Sequence, residues 1–164
     1  MLGQVQDAGN TTTLSHYLTL LEQAGVLCGL HKFCGQEIRF RQSSPKLQVY
    51  NTALMTGRNH KNFETVLNNP KIKDRIVESA VGASLLMDAK SQVYYWRENN
   101  YEVDFVVKVK GKLIAIEVKN TEKSVKLDGM QAFEKNYHPD CKILIGSNGV
   151  PLELFLKTPL TDFL

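Results

Sequence analysis

The sequence predicts an α/β protein in which a mixed central β-sheet is flanked by helices. In the second half of the chain the predicted order is helix, strand, hairpin, helix, strand. The stretch YEVDFVVKVKGKLIAIEVKN has two Val- and Ile-rich runs on either side of Lys110-Gly111, which predicts a β-hairpin. The run CKILIGS is short, continuous and apolar, as is typical of a strand buried on both faces. A sheet that combines both kinds of strand is mixed.

The composition is that of an ordinary globular protein. The 164 residues are 43% hydrophobic and 23% charged, enough for one domain or two small ones, and the net charge of +3 permits nucleic-acid binding without requiring it. Cys28, Cys34 and Cys141 have no CxxC spacing, so we expect neither a disulfide framework nor a zinc site. This cysteine usage fits a reducing compartment, so we predict a cytoplasmic protein. The sequence shows no membrane-spanning run and no signal peptide, so we expect no membrane association.

The sequence predicts that residues 1–58 form a truncated winged-helix-like segment. A helix in NTTTLSHYLTLLEQ is followed by the strand VLCGLHKF and then by a ribbon that carries Arg39, Arg41 and Lys46. This order resembles the second half of a winged helix, and the basic ribbon would be its wing. Some winged helices bind DNA through the wing, and others serve as protein-binding modules. On the DNA-binding alternative, these three basic residues would contact nucleic acid.

Residues 70–164 predict a second domain, separated from the first by a polar, Asn-rich stretch near residues 56–70. Its first helix lies in KIKDRIVESAVGASLLM, with Glu78 at the edge of the apolar stripe and Gly82 allowing another backbone to approach. A carboxylate in that position is costly unless it is paired, so Glu78 has either a basic partner or a functional role. The tail PLELFL is predicted to be a last strand or an extended segment.

The hairpin brings two acids together. If Lys110-Gly111 is a two-residue turn, Asp104 lies opposite Glu117, and Lys119 lies on the same face one step further on. Opposed like charges destabilise a sheet by roughly 0.2–1 kcal/mol, so a positive group is expected between them. Lys119 is one candidate, and a Mg²⁺ ion held by carboxylates, waters and substrate phosphates is the other.

The order of these residues resembles a known superfamily of nucleases. A helical Glu78, a strand Asp104, the tripeptide Glu-Val-Lys at 117–119 and a following helix with Gln131 occur in the order found in PD-(D/E)XK nucleases. The likeness covers roughly residues 72 to 147. It implies a restriction-endonuclease-like fold, with the sheet and helices predicted above.

The same resemblance implies the role of each residue. Asp104 and Glu117 would be ligands of Mg²⁺ or Mn²⁺, with Glu78 as an accessory ligand. Lys119 would be catalytic, orienting the attacking water or stabilising charge. Glu78 and Gln131 would complete the catalytic group from the two helices.

At full length the chain resembles a domain of unknown function at the C-terminus of a bacterial and archaeal family of AAA-type ATPases. The resemblance rests on NTTTLSHYLTLLEQAGVLCGL, SPKLQVYNTALM, RIVESAVGASLL, YYWRENNYEVDFVV and IAIEVKN. It implies an N-terminal ATPase domain in a longer chain, and ATP would be bound only there, because this sequence has no GxxxxGK[ST] loop.

Three functions remain open at this point. The first is a magnesium-dependent nuclease acting on DNA by phosphodiester hydrolysis. The second is a catalytically inactive nuclease-fold module that binds DNA or protein for the ATPase. The third is a scaffold that helps the ATPase form a homo-oligomer.

Overall fold

A six-stranded mixed sheet forms the centre of the computed structural model. The structure describes residues 11–35, 44–57, 64, 68–119 and 127–164. In chain order the elements are α1 (Thr11–Gln23), β1 (Leu27–Lys32), β2 (Lys46–Val49), α2 (Ala53–Thr56), α3 (Pro70–Met87), β3 (Gln92–Glu98), β4 (Tyr101–Val109), β5 (Lys112–Lys119), α4 (Asp128–Tyr137), β6 (Cys141–Gly146), α5 (Leu152–Lys157) and a final 3-10 turn (Leu160–Phe163).

The strands lie in the spatial order β2-β1-β3-β4-β5-β6. β1 pairs with β3 and β5 pairs with β6 in parallel, whereas the other three pairs are antiparallel. The predicted α/β class with a mixed open sheet and flanking helices is therefore confirmed. The predicted strand at CKILIGS is β6, which lies beside β5 at one edge.

Two tight turns set the register of the central strands. The turn at 99–100 joins β3 to β4 and the turn at 110–111 joins β4 to β5, and all four turn residues have positive φ. This backbone matches the primed turns whose twist suits a two-residue hairpin. The β4–β5 ladder places Phe105 opposite Ile116, which is the register predicted from Lys110-Gly111.

Each face of the sheet has its own apolar cluster. On one face, Val81 and Leu85 of α3 pack with Phe105 and with Phe155 of α5. On the other face, α4 contributes to an aromatic group composed of Phe33, Tyr94, Trp96, Phe133 and Tyr137. Burying a large apolar side chain contributes roughly 1.5–3 kcal/mol, so both helices are bound firmly to the sheet. None of the helices in the described ranges has the length and apolarity needed to cross a bilayer.

The tail PLELFL forms helix α5, so the prediction of a strand or extended segment there was wrong. A short apolar run fits either element when periodicity is the only guide. The helix follows Pro151, buries Phe155 and has an ion pair of 2.6 Å between Glu153 and Lys157, one turn apart. Such i,i+4 pairs support a helix and have no equivalent along a strand.

The N-terminal strands are part of the same sheet as the rest of the chain. β1 pairs with β2 on one side and with β3 on the other, so the sheet continues across the predicted boundary between residues 1–58 and 70–164. Arg39 and Arg41 lie outside the described residues. Lys46 is the first residue of β2, at the edge of the sheet opposite to β6.

Gly82 leaves room for side chains of β2 and β4 to pack against α3, whereas the sequence analysis expected another backbone to approach there. A Cβ at this position would clash with Gln48 Oε1 and lie 2.8 Å from Phe105 Cε1. Gln48 Nε2 cannot withdraw freely, because it donates a buried hydrogen bond of 2.9 Å to the Ser79 carbonyl. We expect Gly82→Ala to lower the free energy of unfolding by about 1–2 kcal/mol in urea titrations, despite the better helix propensity of Ala.

A double variant separates this steric effect from other causes. Gln48→Ala alone should be destabilising because Ser79 loses a buried partner, but it also removes the atom that clashes. The combined loss in Gly82→Ala/Gln48→Ala should then be smaller than the sum of the two single losses. Strict additivity would show that Gln48 does not oppose the new methyl group.

Candidate functional site

Asp104 lies at an irregularity in β4. Opposite the single residue Tyr95 of β3, the strand β4 places two residues, Asp104 and Phe105. A bulge of this kind bends its strand and re-aims a side chain. The Asp104 carboxylate turns toward β5, where its Oδ2 accepts a hydrogen bond of 2.8 Å from the Val118 N–H. The acid is thus fixed beside the strand that carries the other predicted ligand.

Glu117 and Lys119 form the second part of the site. Lys119 Nζ lies 2.6 Å from Glu117 Oε1. The other carboxylate oxygen, Glu117 Oε2, is buried and has no hydrogen-bond partner in the part of the chain that is described. An unpaired buried oxygen of an acid is costly, so this atom is available to a ligand that supplies positive charge or a donor.

A second amine approaches the acids from β2. Lys46 Nζ lies 2.6 Å from Glu78 Oε1, 3.7 Å from Glu102 Oε1 and 3.9 Å from Asp104 Oδ1. It also lies 3.4 Å from the Asp104 carbonyl oxygen and 5.3 Å from the centroid of the Phe105 ring. The basic partner expected for Glu78 is therefore this lysine. We name Lys46, Glu78, Glu102, Asp104, Glu117 and Lys119 the acidic cluster.

The electrostatics of the acidic cluster follow from its burial and its excess of acids. Burial, and then the charges of Glu117 and Glu78, raise the pKa of Asp104 to about 7, although Lys46 opposes this. Burial by itself would lower the pKa of Lys46, but the neighbouring carboxylates, Glu78 first, outweigh it and raise that pKa. Glu117 does the same for Lys119. Both amines are thus cationic at neutral pH. The Asp104 carboxyl, with a pKa of about 7, is present there in both its protonated and its ionised form.

Two carboxylates, those of Asp104 and Glu117, are suited to hold one divalent cation. Among the described residues, no three His, Cys, Asp or Glu side chains are arranged as a ready set of metal ligands. Asp104 and Glu117 nevertheless interact electrostatically, and one buried oxygen of Glu117 is unpaired. Mg²⁺ is commonly held by only one or two carboxylates together with waters and substrate phosphates. The Glu78 carboxylate is already ion-paired with Lys46 in this arrangement.

The predicted site residues are placed as follows. The structure brings Glu78, Asp104, Glu117 and Lys119 into one group. It adds Lys46, which the sequence analysis placed on a ribbon that would contact either DNA or a protein. Gln131 is exposed on α4, and its side-chain amide makes no hydrogen bond within the described ranges. The predicted DNA contacts of Arg39 and Arg41 fall outside those ranges.

Glu102 and the placement of Lys46 were missed. Glu102 lies on the same strand as Asp104, two residues earlier, and also pairs with Arg97 at 3.8 Å. Its position next to the tip of the β3–β4 turn had no pattern that distinguished it from a surface charge. The helix α4 begins beside it, because Gly129 packs directly against the Glu102 backbone.

Comparison with known proteins supports the resemblance to a domain of unknown function. The family described as "Domain of unknown function (DUF4143)" matches residues 73–159, which contain every member of the acidic cluster except Lys46. No curated protein and no solved structure matches the chain. The family match covers more than half of the sequence and extends from α3 to the end of α5. The chain therefore belongs to the DUF4143 family.

Proposed function

We propose that this chain is a magnesium- or manganese-dependent nuclease-like domain that hydrolyses phosphodiester bonds in DNA. The observation that supports it best is the meeting of Asp104, Glu117 and Lys119 at the irregular end of the hairpin, with Glu117 Oε2 buried and unpaired. Two carboxylates next to an amine can supply what metal-dependent phosphodiester hydrolysis uses, a held cation and a positive group near the phosphate. In this proposal the sheet and helices form a restriction-endonuclease-like fold.

Each residue has a defined task in the proposed reaction. Asp104 and Glu117 hold the cation, which when bound lowers the pKa of a coordinated water and neutralises charge on the phosphate. The Val118 N–H keeps the Asp104 carboxylate oriented. Lys119 Nζ, held 2.6 Å from Glu117, orients the water or stabilises negative charge that develops on the phosphate.

The remaining predicted residues have supporting roles in the proposal. Glu78 is an accessory acid oriented by Lys46, and Gln131 contributes a polar group from α4. Arg39 and Arg41 bind backbone phosphates from a winged-helix-like segment, which should make DNA affinity fall steeply with salt. In the longer protein, an N-terminal ATPase domain precedes this region and acts with it in the cytoplasm.

A second function is favoured by a different observation. Lys46 already supplies positive charge to Glu78, Asp104 and Glu102, and the described residues offer no set of three metal-binding side chains. A nuclease fold that has lost its ion would look like this. On this alternative the domain is a catalytically inactive module that binds DNA or protein for the attached ATPase.

Binding of Mn²⁺ distinguishes the two functions. We expect the wild-type protein to bind Mn²⁺, measured by the loss of the EPR signal of the free ion, and Asp104→Asn to weaken that binding at least about tenfold. Asp140→Asn is the matched control, because Asp140 is an acid paired with Lys112 on the surface. A wild-type protein that binds no Mn²⁺ would favour the inactive module.

A further inference from the structure

A cavity adjoins the acidic cluster between β2, α2 and α3. It has a volume of about 210 Å³, and both Lys46 and Glu78 lie on its wall. Leu47 and Met55 give it an apolar side, and Arg75 of α3 gives it a guanidinium. Binding sites for small groups typically combine a concave apolar wall with a few placed polar groups. A group bound in this cavity would lie next to the acidic cluster.

Arg75 is the cation of this cavity that has no acid bound to it. Of the two arginines in the described ranges, Arg97 lies 3.8 Å from Glu102, whereas Arg75 makes no ion pair with a described acid. The other cation on the wall, Lys46, lies 2.6 Å from Glu78, the acid on the same wall. Those two charges cancel, so the described residues that line the cavity leave the charge of Arg75 unbalanced.

The chemistry of the cavity suits one phosphate of a DNA strand. A guanidinium is planar and presents its N–H donors in a fork that matches two phosphate oxygens, and unlike an ammonium it is weakly hydrated. Because a water molecule takes up about 30 Å³ in the liquid, the cavity has room for about seven waters, or for a phosphate with part of its sugar. The half-exposed Leu47 and the Met55 side chain offer that sugar an apolar surface. The acids of the cluster repel an anion, which makes a guanidinium necessary where a DNA strand enters.

We propose that Arg75 binds a backbone phosphate of DNA in the cavity between β2, α2 and α3, and so holds the strand beside the acidic cluster. This inference rests on the proposed action on DNA, and it adds the place where the strand is held and the residue that holds it. It does not depend on the metal site, because the cavity lies on the far side of Lys46 and Glu78 from Glu117 and uses none of the proposed ligands Asp104 and Glu117. It applies equally to an active nuclease and to an inactive DNA-binding module.

The test is the binding of a short fluorescein-labelled DNA duplex, measured by fluorescence anisotropy in EDTA at several salt concentrations. Arg75→Ala should weaken binding at least about tenfold, as expected for the loss of a charge-assisted hydrogen bond. It should also lower the slope of log affinity against log salt by about 0.9, the value for one phosphate contact. Lys73→Ala is the matched control, because Lys73 is equally exposed on α3 but points to the other side of the helix, away from the cavity. It removes the same charge and should leave the slope unchanged.

A conservative variant separates a phosphate contact from a structural role. Arg75→Lys keeps the charge and loses the fork, so it should bind DNA with the salt slope of wild type and an affinity between those of wild type and Arg75→Ala. Equal affinities and slopes for Arg75→Ala and Lys73→Ala would refute the role of Arg75 and leave the proposed nuclease site untouched. A wild-type protein that binds no DNA in EDTA would overturn both this inference and DNA as the substrate, whereas Mn²⁺ binding at Asp104 and Glu117 is measured without DNA.

Discussion

Lys119→Met should reduce Mn²⁺-dependent cleavage of DNA at least about a hundredfold, because removing one group that stabilises charge in a transition state typically costs that much. In the structure Lys119 Nζ is paired with Glu117 next to the proposed ligands, and its neighbours keep it cationic at neutral pH. Cleavage of supercoiled and linear DNA would be followed on gels over a range of Mg²⁺ and Mn²⁺ concentrations.

The control for this variant is Lys142→Met. Lys142 Nζ also makes an ion pair of 2.6 Å, with Glu134, but on the surface between β6 and α4. It removes an equivalent charge and an equivalent pair, so cleavage should remain at the wild-type rate. Equal cleavage by wild type and Lys119→Met would show that the activity belongs to a contaminant or to another part of the protein.

Asp104→Asn should raise the free energy of unfolding of the metal-free protein at pH 8 by roughly 1–4 kcal/mol. Burial, Glu117 and Glu78 raise the pKa of Asp104 to about 7 from the ordinary 3.8 of an exposed acid. The folded state thus favours the protonated acid, so the stability linked to this proton is complete below about pH 4 and is lost as the pH rises through 7. An Asn ends that loss, and its side-chain oxygen can still accept the hydrogen bond from Val118.

Urea unfolding at pH 5 and pH 8 would measure this effect, and the gain should be larger at pH 8. Asp140→Asn provides a control of opposite sign. The Leu113 N–H and Lys112 lower the pKa of Asp140, so its stabilising effect is present above the pKa of the unfolded chain and is lost in acid. Asp140→Asn should therefore be less stable than wild type at pH 8. A loss of stability in Asp104→Asn at pH 8 would contradict the inference that the ionised Asp104 carboxylate destabilises the folded protein.

The sequence could predict those parts of the site that depend on neighbouring residues. The turn at 110–111 fixes the register of β4 and β5, and alternation along β5 then places Glu117 and Lys119 on one face. The helix that carries Glu78 was also clear, because its apolar stripe is long enough to fix the period. These features depend on contacts within a hairpin or within one helix.

Other features depend on contacts between segments that are distant in the chain. The irregularity that re-aims Asp104 arises from the pairing of β4 with β3, and no residue type marks it in the sequence. Lys46 reaches the acids only because β1 pairs with β3 and thereby brings β2 into the sheet. An excess of acids over amines at the predicted site was a signal that a second cation was required. It did not identify which of the remaining basic residues would supply that charge.

The topology of the sheet has a consequence for how the protein folds. β3, β4 and β5 join through two-residue turns, so they can associate early with little loss of chain entropy. β1 must find β3 across the whole of α2 and α3, pairing His31 with Tyr94, and contacts of such long range form slowly. We expect Lys46, on β2, to reach the acids only with that late segment. A chain emerging from synthesis or refolding would thus spend its first moments with the carboxylates of β4 and β5 assembled and their amine from β2 still absent, open to any metal in the surrounding solution.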